Sequence, residues 1–270
     1  MEYIAEIGWN FMGDISLAEE MVEAAKTAGA TSVKFQYWNP KKLKPGAWDH
    51  DGRRQIYEGA QLNDKKINDL KSICSQYNIK FLTSVFNNED ACYIKSFGDT
   101  AIKIPSHEVA NTKLIRYALN EFEQVYISAG ACTVAELSQL ANLTNELRAN
   151  DQSVNVMHCV SSYPCEIGNM NLNRIDALRE RFTNALGLSD HSTSTLVPAL
   201  AVAKGVTVIE KHFTTNQDLP GRDNKFAVMP EQFSQLVRYC NEAVSAFTDR
   251  GINAQSIEAD TIENYRGRWG

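Results

Sequence analysis

"YIAEIGWNFMGDISLAEEMVEAAKTAGATSVKFQ", residues 3–36, sets out the unit from which the chain is built. It opens on a strand-like apolar run, "YIAEI". It continues through a helix-like segment, "SLAEEMVEAAKTAG", which Gly29 stops, and closes on a second strand-like run, "SVKFQ". The same order recurs. Further strand-like runs fall at residues 80–85 ("KFLTSV"), 100–104 ("TAIKI"), 124–128 ("QVYIS"), 153–158 ("SVNVMH"), 184–188 ("NALGL") and 206–212 ("VTVIEKH"). Between them lie helix-like segments such as "TVAELSQLANLTNELRA", residues 133–149, with Thr133 as its N-cap. Eight strands alternating with eight helices in 270 residues predict a TIM (β/α)8 barrel, one α/β domain over residues 1–270, in preference to a doubly wound sheet. One connection is out of scale. Residues 37–63, between the second strand and its helix, form a loop of the length associated with lids and binding loops.

Composition narrows the class. Hydrophobic residues make up 43% and charged residues 22%, ordinary globular usage. No apolar run approaches the roughly 20 residues of a membrane-spanning helix, so no membrane partner is expected. The start, "MEYIAEIG", lacks a basic leader, and a cytoplasmic location is expected. The six cysteines contain no C-x-x-C pair and read as buried thiols of a reducing compartment, although Cys159 and Cys165 could bridge in principle. A net charge of −6, with no basic run beyond "PKKLKPG", argues against nucleic acid. The N-x-T triplet at Asn142 falls in a helical pattern and reads as a chance match.

In such a barrel the chemistry sits at the C-terminal ends of the strands, and the polar residues concentrate there. Glu6 closes the first strand, Lys34 and Gln36 the second, Thr83 and Ser84 the third, Lys103 with Ser106 the fourth, and Ser128 the fifth. His158 ends the sixth, Ser189 to His191 the seventh, and Glu210 with His212 the eighth. Residues two apart on a strand share a face, so Lys34 with Gln36, and Glu210 with His212, can point inward together. His191 and His212 end neighbouring strands about 4.8 Å apart, within reach of one divalent ion; a purely structural pair is the alternative. Lys34 and Lys103 have no evident partner in the sequence. Buried lysines are costly unless they meet anions, so with the hydroxyls of Ser84, Ser106, Ser128 and Ser189 they suit a small ligand carrying phosphate and carboxylate. No Walker loop, G-x-G-x-x-G or G-x-S-x-G is present, and "HEVAN" is not H-E-x-x-H.

These residues sit within stretches that resemble the N-acetylneuraminate (sialic acid) synthases and their pseudaminic and legionaminic acid relatives. The stretches are "IAEIGWN" from Ile4, "AGATSVKFQ" from Ala28, "KIPSHEVAN" from Lys103, "MHCVSSYPCE" from Met157, "GLSDHS" from Gly187, "VIEKHFT" from Val208 and "GRDNKF" from Gly221. The resemblance implies condensation of phosphoenolpyruvate with an open-chain N-acyl amino sugar. It implies that Lys34, Ser84, Lys103, Ser106, Ser128, Ser161, Tyr163 and Ser189 hold phosphoenolpyruvate. It implies that His191 and His212 bind a divalent metal ion, manganese before magnesium or cobalt, and that Glu6, Gln36, Glu108 and Asp223 contact the sugar or the attacking water. Glu108 is the first candidate for positioning that water and Glu6 the second; a homodimer is expected.

The chain departs from the family pattern at Phe11 and Asn224, where histidines are usual, and at "AGA" from Ala129 in place of "TGM". The small C-terminal domain usual in the family is not in this sequence, so the long loop, with Trp38, Trp48, Tyr57, Arg53 and Arg54, is expected to close the site; packing on a partner barrel is its other use. Two other functions compete. One is a 3-deoxy-ulosonate synthase acting on a phosphorylated sugar, which needs additional arginines. The other is a catalytically silent barrel that binds a sugar or anion.

Overall fold

The structure, a computed structural model, describes residues 1–147 and 152–269. Eight parallel strands close in chain order: β1 (Glu2–Gly8), β2 (Ser32–Gln36), β3 (Lys80–Ser84), β4 (Ala101–Ile104), β5 (Gln124–Ser128), β6 (Ser153–Cys159), β7 (Ala185–Asp190) and β8 (Val208–His212), with β8 paired back to β1. The TIM barrel expected from the alternation is the fold observed. Helices α1 (Ile15–Thr27), α3 (Asp64–Gln76), α4 (Asn88–Lys95), α5 (Thr112–Glu121), α6 (Val134–Leu147), α7 (Arg174–Arg179), α8 (Val197–Ala203) and α9 (Pro230–Ala246) follow the strands in turn. Two more exceed the simple alternation: α2 (Arg53–Ala60), inside the long β2–α3 connection, and α10 (Ala259–Asn264), beyond α9.

Local chemistry fixes the helix ends. Asp14 accepts from the backbone N–H groups of Ser16 and Leu17 and starts α1. Gly29, at φ 98°, turns the chain so that its own N–H and that of Ala30 reach back to the Lys26 and Ala25 carbonyls. Thr133 caps α6 as expected: Glu136 Oε2 accepts from the Thr133 N–H at 2.7 Å, and Thr133 Oγ1 accepts from the Glu136 N–H at 3.3 Å. The last two residues of the helix expected there, Arg148 and Ala149, lie outside the described residues. The N-x-T triplet at Asn142 falls on α6, with Thr144 buried. All six cysteines are free, so Cys159 and Cys165 form no bridge. Among the described residues no helix is long and apolar enough to cross a membrane.

The period of two sorts each strand into a face toward the helices and a face toward the barrel axis. The axial face is layered. Tyr126 donates to Glu2 at 2.6 and 2.7 Å, and Ser32 to Glu2 at 3.0 Å, across the N-terminal mouth. Above them Ile4, Leu82, Ala101, Tyr126, Met157 and Val208 form a buried apolar plug. The charged layer described below sits on that plug. The plug makes this end of the barrel a floor and leaves the C-terminal end as the open one.

The long connection is ordered. It forms two short 3-10 turns, Pro40–Lys42 and Ala47–Asp49, before α2. Arg54 ties it together by pairing with Asp49 and donating to the Pro40 carbonyl at 3.1 Å. Gly13, at φ 86°, lies so close to α2 that a Cβ there would sit 2.0 Å from the Gly59 carbonyl oxygen. Lys66 donates to the same carbonyl at 2.5 Å. The loop is therefore docked backbone to backbone on the β1–α1 turn. Gly13→Ala should lift α2 from that turn, at a local cost of about 1–3 kcal/mol. Limited proteolysis should show faster cleavage within residues 40–60, while the circular-dichroism melting of the barrel changes little.

Candidate active site

The top layer of the barrel axis is ionic. Glu210 on β8 lies between two lysines: Lys103 Nζ is 2.9 and 3.1 Å from its two oxygens, and Lys34 Nζ is 3.7 Å from Oε2. Ser189 on β7 donates to Glu210 Oε1 at 2.9 Å. Lys34 also pairs with Glu6 Oε2 at 3.0 Å, and Gln36 donates to Glu6 Oε1 at 2.6 Å. Lys34, Lys103, Glu6 and Glu210 are each 5% exposed or less. The expectation that the two lysines lack protein partners is thus corrected: two inward carboxylates hold them, and the layer as a whole is close to neutral. Burial alone would raise the Glu210 carboxyl, but Lys103 and Lys34 hold it well below the carboxylate range. Burial likewise disfavours charge on both lysines. Two carboxylates more than offset this at Lys34, whose pKa is raised, whereas Lys103 has one carboxylate and feels Lys34, so its pKa is lowered.

Above this layer a cavity of about 620 Å³ opens to solvent. Glu6, Lys34, Gln36, Ser84, Lys103, Ser106, Ser128 and Ser189 line its inner part, and Tyr163, His191, His212 and Asp223 one side. The sequence-based candidates therefore converge, with two exceptions. Glu108 is outside the lining, its carboxylate accepting from Asn111 at 2.8 Å. Ser161 is exposed and outside the lining, its hydroxyl 2.7 Å from that of Ser106. Two other polar strand-end residues, Thr83 and His158, face the helices, and His158 Nε2 meets the Met170 carbonyl at 2.7 Å. Cys159 was not foreseen as a lining residue; it shares its inward face with Met157, and period-two counting on β6 would have found it. Gly130 makes room for it, since a Cβ there would lie 3.0 Å from Cys159 Sγ and 2.7 Å from Ser161 Oγ. Ser128 Oγ is buried in the cavity wall with no hydrogen-bond partner among the described residues.

The two histidines stand side by side, ring centroids 5.6 Å apart. His191 Nδ1 is 2.8 Å from the Val160 carbonyl. A carbonyl only accepts, so Nδ1 carries the proton and Nε2 keeps its lone pair. Burial, with His212 adding to it, lowers the His191 pKa to about 3, so the ring is neutral. His212 Nδ1 is buried without a hydrogen bond, 3.8 Å from Asp223 Oδ2, which Trp9 Nε1 holds at 2.7 Å. Among the described residues no three His, Cys, Asp or Glu side chains form a complete protein cage for a metal. The donors suit a two-histidine site with its other positions left to water and substrate.

The outer wall is aromatic. Trp9 stacks on Tyr57 at 3.9 Å with 8° between planes, Trp38 meets both edge-on, and Phe86 stacks on His107 at 5.2 Å. Trp38, Trp48, Arg53 and Tyr57 bring the long loop into the cavity wall; Arg54, braced on Asp49, does not reach it. Arg53 is engaged by Asp51 at 2.6 Å, and Arg222 lines the mouth from the loop after β8. The family departures stay behind the wall. Phe11 is fully buried against Phe35, Asn224 is buried and accepts from Thr214 at 2.6 Å, and Ala129 is buried with its N–H on the Met157 carbonyl.

Asp90, in the first turn of α4, also lines the cavity, and burial pushes its carboxyl up to about 6 from the ordinary 3.8, with Lys42 opposing the shift. Between those values the folded protein keeps a proton that the unfolded chain releases, so stability falls as pH rises from 3.8 to 6 and is flat above. Asp90→Asn, which still accepts from Asn87, should stabilise the protein by about 1–3 kcal/mol at pH 7.5 and leave it nearly unchanged at pH 4. Thermal unfolding of both proteins across that range checks this.

Comparison with known proteins agrees with the geometry. The model of the NeuB family matches residues 21–251. The N,N'-diacetyllegionaminic acid synthase of Legionella pneumophila is 31% identical over 253 residues, 89% of this chain and 71% of that protein. The pseudaminic acid synthase of Campylobacter jejuni is 32% identical over 257 residues, 91% of this chain and 74% of that protein. A crystal structure of N-acetylneuraminic acid synthetase from Leptospira borgpetersenii, in complex with citrate, superposes with a TM-score of 0.87 at 28% identity, covering 97% of this chain and 90% of that one.

Proposed function

The chain belongs to the NeuB family, and from that premise we propose that it condenses phosphoenolpyruvate with the open-chain aldehyde of an N-acyl amino sugar. The products are phosphate and a sialic acid or related nonulosonic acid. The observation that carries this reading is the buried pair of lysines, held upright by Glu6 and Glu210 beneath a cavity edged by two histidines. Each ammonium has three donors; two of Lys103's are directed to Glu210 and one of Lys34's to Glu6, leaving each with at least one N–H for a phosphate or carboxylate oxygen. The orphaned Ser128 hydroxyl, with Ser84 and Ser106, supplies further donors at the same depth.

A divalent cation held by His191 and His212, manganese with magnesium or cobalt as alternatives, would supply Lewis-acid polarisation of the aldehyde oxygen. The lysine layer orients phosphoenolpyruvate so that its C3 bonds to the aldehyde carbon, whose oxygen gains a proton to become a hydroxyl. Water then adds to C2 and gives up one proton, leaving a hydroxyl on C2; the C2–O bond to phosphate breaks as this C2 hydroxyl loses its remaining proton, and the ketone forms. Glu6 is assigned the water, because its carboxylate lies in the inner layer, whereas Glu108 is held outside by Asn111.

The aromatic wall takes the acceptor. Stacked rings give apolar faces for acyl and carbon-bound hydrogen surfaces of a sugar, and residues 37–63 act as the lid over them. Two copies per working unit belong to the same reading, since Phe247, Ile252, Ile257 and Trp269 are exposed apolar side chains that a second copy would cover. So does a cytoplasmic location, where the six free thiols stay reduced.

The test is phosphate release from phosphoenolpyruvate, with manganese and a panel of N-acyl hexosamines and phosphorylated aldoses. Release with the N-acyl sugars is expected, with heavy oxygen from the phosphoenolpyruvate bridge recovered in phosphate. In the same assay Lys103→Met should weaken phosphoenolpyruvate binding about 10- to 100-fold. Turnover only with phosphorylated aldoses would move the protein to the phospho-sugar synthases, using Arg53 and Arg222; no turnover with any acceptor, but retained ligand binding, would make it a silent barrel. Trp38→Ala should raise the acceptor KM about tenfold and leave phosphoenolpyruvate affinity unchanged; equal effects on both ligands would remove the loop from acceptor binding.

A further inference from the structure

The stretches "SDHS" and "EKH" contain two residues that the reaction does not use, Asp190 and Lys211. In the β7–β8 pairing Ser189 lies opposite Glu210 and Asp190 opposite Lys211. The first pair faces the cavity; the second faces the helices, with side chains 0% and 1% exposed. Lys211 Nζ is 2.6 Å from Asp190 Oδ2, 2.6 Å from the Ser192 carbonyl, 2.9 Å from the Ser194 carbonyl and 3.2 Å from Ser192 Oγ. Asp190 Oδ1 accepts from the Ser192 N–H at 2.8 Å. An ammonium has three protons, and here they are directed to one carboxylate and two carbonyls of a single turn. The turn after β7 is thus wound around Lys211.

His191 is the residue in the middle of that turn. Its neighbours on both sides, Asp190 and Ser192, are tied to Lys211, and Lys211 immediately precedes His212 on β8. The same side chain therefore anchors the turn that presents one imidazole from the strand that presents the other. We propose that Lys211 and Asp190 are a positioning pair that sets His191 relative to His212 from behind the sheet, so that both imidazoles meet one divalent cation. The cation part rests on the function proposed above; the positioning of His191 does not. A buried ion pair of this kind contributes little net stability over an apolar pair of the same shape. What it adds is direction, since three convergent acceptors define where the turn must lie.

The experiment removes both charges together, Asp190→Asn with Lys211→Met, so that neither is left buried alone. Two readouts are taken on the folded variant: manganese affinity from the electron-paramagnetic signal of the free ion, and the imidazole resonances of His191 in cation-free protein. The expected result is a manganese Kd about 10- to 100-fold weaker, with loss of the protected Nδ1–H signal that the Val160 carbonyl now holds. If the double variant does not fold, Asp190→Glu keeps the charge but shifts the turn by one methylene, and is read the same way. Unchanged His191 resonances overturn the inference. Wild-type protein that takes up no manganese overturns the metal reading instead, and a lost Nδ1–H signal in the variant then still supports the positioning role. A lower melting temperature with both readouts intact leaves the pair a plain structural bridge and also overturns it.

Discussion

The carboxylate of Glu210, shared between Lys103 and Lys34, is the constraint around which the barrel's open end is organised. Two ammonium groups this deep in one small protein repel each other and lose their hydration. Neither could remain charged on the axis without a counter-ion at the same level. Glu210 meets that requirement from β8, across the axis from Lys103 on β4, and Glu6 adds a second negative charge beside Lys34. The four groups brace one another, so the lysines need not reorganise when an anion arrives. The asymmetry between them also follows. Lys34 has two carboxylates beside it and its pKa is raised, whereas Lys103 has one and feels Lys34, and its pKa is lowered.

Below that layer the apolar plug isolates the network from the N-terminal mouth, and above it the functions separate by type of element. The four charges of the floor, Glu6, Lys34, Lys103 and Glu210, are carried by strands, whose direction the sheet dictates. Shape is carried by the loop with Trp38 and Tyr57, whose position depends on the close approach of Gly13 to Gly59. A rigid charged floor and a loop-borne rim allow one to vary without the other. Phe11, Asn224 and Ala129 are buried and none of them lines the cavity.

Much of this was legible in the sequence for one reason: a strand has a period of two, and an axial position once identified propagates to its neighbours two residues away. That period placed Lys34, Gln36, Ser84, Lys103, Ser128, Ser189 and His212 at the cavity. It gave faces but not partners. The pairing of Lys103 with Glu210 spans 107 residues and the width of the barrel, and no local pattern encodes it. Where the strand ends, the period ends too. Glu108, in the 3-10 turn after β4, and Ser161, just past β6, lie beyond the strands, and their side chains meet Asn111 and Ser106. The outward Asp190–Lys211 pair was hidden for the opposite reason, since alternation alone reads it as two polar residues facing helices.

The aromatic rim has one consequence beyond recognition. Of the four tryptophans in the chain, Trp9, Trp38 and Trp48 line the cavity, and the fourth, Trp269, is 90% exposed. Indole emission is sensitive to the polarity and quenchers within contact distance. Nearly all of the protein's environment-dependent fluorescence therefore originates at the mouth of its own site, over a constant solvent-exposed background. The protein carries an unlabelled optical reporter of cavity filling, in which entry of a ligand past the rim registers as a change in colour and intensity of the native chain.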